Sequence, residues 1–114
     1  MLKIAYAPCY KHLLPDGHKF PMEKYELLPL QLLHEGTVNQ ENFFTPTKLP
    51  EAEILATHQK EYWENLKELK LTPREQRKTG FPHSKELIER EITIMDGTLQ
   101  AALFALQFGV AFNI

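Results

Sequence analysis

The stretch from Ser84 to Ile114 constrains the fold of this 114-residue chain more than any other. Leu87, Ile88, Ile92, Met95, Leu99, Leu103 and Leu106 recur with the period of one helix face. Ser84 suits the N-cap and Gly109 the C-terminal stop, which together mark a helix of about 24 residues. Gly97, Ala101 and Ala105 form a second row of small residues, along which another element can approach closely. Val110 to Ile114 is a short apolar run with β-branched and aromatic members, which reads as a buried strand. A helix that feeds directly into such a strand is half of a β-α-β unit.

The rest of the chain supplies the other pieces. Leu2 to Ala7 suits a strand that Pro8 ends. Residues 8–21 carry three prolines and a Pro-Asp-Gly turn and read as a loop. Pro21 fits the first position of a helix whose face holds Met22, Tyr25, Leu28 and Leu32, with Pro29 expected to kink or split it and Gly36 to stop it. Residues 36–50 read as a second loop, and a short helix follows from Glu51 to about Thr57. A further helix has Tyr62, Trp63, Leu66 and Leu69 as its apolar face. Thr72-Pro73-Arg74-Glu75 is a capping box with proline at the first helical position, starting a helix that can run only a turn or two before Gly80. Phe81-Pro82-His83 then leads into the long helix. The pattern is α/β with helix in large excess.

Composition narrows the function. An apolar fraction of 43%, a charged fraction of 25% and a net charge of −2 describe an ordinary globular surface, not one built for nucleic acid or anionic lipid. The basic run Lys70 to Lys78 lacks interleaved aromatic residues and reads as an exposed helix flank. No apolar run reaches the roughly 20 residues of a membrane span, no secretory signal is evident, and Cys9 has no second cysteine to pair with. A cytoplasmic protein is the expectation. His12, His18, His34, His58 and His83 form no zinc-type spacing with one another or with Cys9. The sequence holds no phosphate loop and no nucleophile elbow. Glu61, Glu64, Lys67 and Glu68 alternate in charge, as on a solvated helix face.

Four ordered blocks carry a likeness to a known family. PDGHKFPMEKYELL resembles the first loop and helix of the histone deacetylase superfamily, in particular bacterial members near the class IV type. EILATHQKEYWENL is similar to a family helix with a His and an aromatic anchor. GFPHSKELIEREITIMDGTLQAALFAL resembles the long helix with its Gly-Thr step, and GVAFNI resembles the strand leading into a Gly-Gly-x-His-His motif.

The resemblance implies a fragment of an arginase/deacetylase-type three-layer α/β fold, with strands near 2–7 and 110–114. Residues 1–114 are then the N-terminal part of a single, incomplete domain. It further implies a zinc-dependent amidohydrolase acting on acyl-lysine or acyl-amine. The family's zinc ligands, its His-His pair and its carbonyl-polarising residue all correspond to positions beyond Ile114. The chain is therefore expected to hold no catalytic residue, metal ligand or cofactor of its own and to be inert alone.

What the resemblance leaves to these residues is the substrate-tunnel rim: His18, Phe20 and Pro21 in the first loop, Phe81 and Pro82 in the loop before the long helix. Phe20 and Phe81 suit the walls along a methylene stem, and equally suit pinning their loops to the core. The class I pattern His-Arg-x-Arg-Met is here His18-Lys19-Phe20-Pro21-Met22, so a channel arginine is replaced by Pro21, and no substrate-gripping Asp lies near Gly80. The alternative reading is a stand-alone interaction module. In either case the apolar strand Val110–Ile114 and the long helix are expected to support a homodimer or exchange of elements between copies.

Overall fold

The structure, a computed structural model, describes residues 1–114. Three very short strands form a parallel sheet in the order β2-β1-β3: β1 is Lys3–Ala5, β2 is Phe43–Phe44 and β3 is Ala111–Asn113. Ile4 faces Phe43 on one side and Phe112 on the other, so β1 is the central strand. Five α-helices accompany the sheet: α1 Lys24–His34, α2 Glu51–Thr57, α3 Lys60–Lys67, α4 Pro73–Thr79 and α5 Lys85–Phe108. Two 3₁₀ turns, Pro8–Tyr10 and Gln40–Asn42, lie ahead of α1 and β2.

The local signals act as their chemistry dictates. Ser84 Oγ accepts from the Leu87 amide at 3.1 Å, which satisfies one of the free donors at the start of α5. Thr72 and Glu75 close a reciprocal capping box on α4, with Thr72 N donating to Glu75 Oε2 at 2.7 Å and Glu75 N donating to Thr72 Oγ1 at 3.3 Å. Gly109, at φ 94°, ends α5 and turns the chain into β3.

α5 is the organising element. It lies along β1 and β3, and its N-terminal half packs on α3. Ile88 of α5, Ile54 of α2 and Trp63 of α3 form a buried cluster, extended by Leu49, Leu66, Ile92 and Met95. The small-residue row admits a close approach at Gly97. A Cβ on Gly97 would collide with the Tyr10 hydroxyl and come within 3.0 Å of the Asn113 side chain. No helix is long and apolar enough to cross a membrane.

The fold class needs correction. The chain does not form a three-layer α/β fragment of the arginase/deacetylase type; it forms a helix-rich domain around a small three-stranded sheet. The molecule measures 45 × 36 × 17 Å. Its shortest dimension fits a helix on a sheet, whereas helices on both faces of a sheet need well over 20 Å at about 10 Å per layer. α1 packs on the Pro8–Tyr10 turn.

The strand expectations change with it. The strand near 2–7 contracts to Lys3–Ala5, because Pro8 opens a 3₁₀ turn. The strand near 110–114 contracts to Ala111–Asn113 and is an edge strand, with Val110 49% and Phe112 51% exposed, not a buried central one. Residues 36–50 are not all loop, since Phe43–Phe44 add the second edge. Pro29 does not split its helix; α1 is continuous through it and the proline is buried. Leu69 lies past the end of α3 at φ 59° and is exposed.

Candidate functional site

The loop before α1 and the loop between α4 and α5 meet. Gly17, at φ 80°, completes the Pro15-Asp16-Gly17 turn, and His18 N donates to Pro15 O at 3.1 Å. That turn brings His18 against the second loop. Its Nδ1 accepts from the Phe20 amide at 3.2 Å, which leaves Nε2–H to donate to Gly80 O at 3.0 Å. Both ring nitrogens of the neutral imidazole are thereby satisfied, and the two loops are stitched across 62 positions of sequence.

The aromatic rings repeat the stitch. Phe20 and Phe81 meet edge to face with centroids 5.1 Å apart, and the His18 ring lies 5.6 Å from Phe81. Phe20 also stacks on Tyr25 of α1 at 6.3 Å, with Lys24 Nζ 4.9 Å from its centroid. Phe20 and Phe81 are each half-buried, while Pro21 and Pro82 are exposed beside them. All five rim residues expected from the sequence, His18, Phe20, Pro21, Phe81 and Pro82, thus lie in the two loops that meet here. The rings hold the loops together and leave an apolar edge partly exposed where the loops meet. With both nitrogens engaged, His18 positions the loop and is not a free base.

Beneath this edge lies a buried polar cluster that the sequence did not single out. Arg90 of α5 is 3% exposed; its Nε donates to Tyr10 O at 2.6 Å and its guanidinium lies 5.0 Å from the Tyr25 ring centroid. Tyr10 Oη donates to Asn113 Oδ1 at 2.7 Å, and Asn113 Nδ2 donates to Ile94 O at 2.8 Å and Thr98 Oγ1 at 2.9 Å. Burial is the main reason the Tyr10 phenol is pushed up to about 12, reinforced by the neighbouring Cys9. Asp96, also 3% exposed, accepts from the Thr47 amide at 2.8 Å. The available signal was positional. Arg90, Thr93 and Gly97 share a face of α5 with Ala101, and a charge on an inward helix face calls for a partner.

The remaining candidates lie apart. His58 rests 5.7 Å from the Tyr62 ring, and Cys9 is exposed. Arg74, Arg77 and Lys78 are exposed on α4, and Lys70 pairs with Glu68 at 2.6 Å. No three His, Cys, Asp or Glu side chains gather so as to hold a metal ion.

No family model matches the chain. Over 110 residues, 96% of its length, it is 34% identical to an uncharacterized protein of Picosynechococcus sp.. The chain spans 37% of that relative's length.

Proposed function

We propose that these residues form the front segment of a longer zinc-dependent amidohydrolase of the histone deacetylase kind. In that protein the His18–Phe20 and Gly80–Phe81 loops supply part of the rim past which an acyl-lysine or acyl-amine chain enters. The observation that supports this most is the meeting of the two loops through the Phe20–Phe81 contact and the His18–Gly80 hydrogen bond. Phe20 and Phe81 bind the methylene stem, and His18 fixes the loop that carries Phe20. The residues of this chain do not fit a zinc site, because no suitable donor cluster is gathered, and no step of hydrolysis is assigned to them. Similarity to a relative much longer than this chain agrees with such a setting. The test is hydrolysis of acyl-lysine peptides by the longer protein, with and without the two phenyl rings.

A second reading has its own observation. Val110, Phe112, Leu103 and Leu106 are all exposed around the outer edge of β3 and the end of α5, with Leu106 at 86%. In this reading the segment is an interaction module that self-associates through Val110–Ile114 and α5. Light scattering of the isolated segment tests it: a dimer supports this reading, and a monomer at high concentration contradicts it.

A further inference from the structure

His83 stands in the loop that joins α4 to α5, between Phe81 and the Ser84 that caps α5. It fastens that loop to the end of α4, because its Nε2 lies 2.8 Å from Thr79 Oγ1. Thr79 Oγ1 gives its own proton to Gln76 O at 2.7 Å, so it accepts from His83 Nε2–H. The other ring nitrogen, Nδ1, is shielded from water and has no hydrogen-bond partner. A neutral imidazole leaves only a lone pair there. An imidazolium must place a charged N–H in the same spot.

Nothing around the ring receives that second N–H. No carboxylate forms an ion pair with His83. Glu91 of α5, which borders the recess on one side of the ring, is paired with Arg90 at 2.7 Å. In the same recess α3 contributes Trp63, whose indole nitrogen only donates, and the end of α2 contributes His58. From the first loop His12 lines a hollow on the other side. Lys78 on α4 and Lys85 and Glu86 on α5 are exposed. A buried charged donor without an acceptor is far costlier than an idle lone pair.

We propose that His83 is a proton-sensitive latch: the neutral ring holds the Phe81–Ser84 segment on α4, and protonation releases it. The released ring takes up a proton that the latched ring has no place for. The latched form is therefore favoured at high pH and is lost as pH falls, within the range of about pH 8 to 5 where histidine ordinarily changes charge. The latch does not depend on the deacylase reading. Where that reading holds, it controls the seat of Phe81 at the rim.

NMR on the full chain tests this, by hydrogen exchange and the ring nitrogen shifts of His83 across about pH 8 to 5. The reporters are the Leu87 and Ile88 amides, which donate to Ser84 Oγ and Ser84 O. The expected result is a roughly tenfold loss of their protection, corrected for the intrinsic pH dependence of exchange, in step with protonation of His83. The Ile114 amide, bonded to Ala5 O in the sheet, should keep its protection. His83→Gln retains an N–H for Thr79 but takes up no proton, and should show no such loss. His58→Gln and His12→Gln should lose protection as the unmodified chain does. Unchanged protection while His83 takes up its proton overturns the proposal, as does a His83 ring still neutral at the acid end of the range. A loss in step with His58 or His12, or an equal loss at Ile114, overturns it too. The unmodified chain decides the question even if His83→Gln does not fold.

Discussion

Tyr10 and Asn113, 103 positions apart, are joined by a 2.7 Å hydrogen bond that crosses α5 at Gly97. This contact ties the turn after β1 to β3 and places both against the one position of α5 that has no side chain. Because Tyr10 is buried and held by Asn113, its hydroxyl has little room to move aside.

Gly97→Ala is therefore expected to destabilise the fold. Overpacking costs about 1–3 kcal/mol, against a gain of about 1 kcal/mol from better helix propensity. Tyr10→Phe removes the atom the new methyl meets. Urea denaturation of both single variants and the double variant should show the pair less damaging than the sum of its members.

Stability should also fall at high pH. The Tyr10 phenol titrates near 10 when unfolded and is raised to about 12 in the fold, so between those values the folded state holds the proton more tightly. The stabilisation is fully present below pH 10 and is lost as pH rises through 12. Tyr10→Phe should flatten this part of the stability profile, measured by denaturant midpoints at stepped pH.

Asp96 holds the segment that leads from β2 to α2. Its carboxylate accepts from Thr47 N at 2.8 Å and lies 3.3 Å from Thr47 Oγ1, and Leu49 N donates to Ile92 O close by. Asp96→Ala leaves the Thr47 amide without its partner and should cost about 1–3 kcal/mol. Hydrogen exchange should localise the loss of protection to Thr47 and its neighbours.

The proposed rim residues admit a kinetic test in the proposed longer protein. Phe81→Ala should raise KM for acyl-lysine peptides with a smaller change in kcat, since a methylene wall binds ground and transition states alike. Phe20→Ala should act the same way. The double variant should fall short of additivity by about 0.5–1.5 kcal/mol, the scale of an aromatic pair.

What could be read from the sequence was mostly local. Ser84, Gly109 and the Thr72–Glu75 box mark helix ends through short-range hydrogen bonding, and they act there as expected. The row from Gly97 announced a close approach but not what would approach. β2 escaped notice because two phenylalanines in a polar stretch carry no periodicity, and only pairing with Ile4 and Ala5 makes them a strand. The apolar run at 110–114 signalled a strand, but burial depends on neighbours, and β3 pairs on one side only. The Arg90–Tyr10–Asn113 cluster spans three distant segments and has no local signature. The meeting of the two rim loops likewise depends on His18 reaching Gly80.

The most direct measurement is made on the native product that contains these residues: its intact mass, together with zinc-dependent hydrolysis of an acetyl-lysine peptide. The expected result is a mass well above 13.3 kDa and hydrolysis that a chelator abolishes and Phe81→Ala weakens through KM. A product that hydrolyses no acyl-lysine or acyl-amine, or whose hydrolysis is indifferent to zinc, would contradict the account.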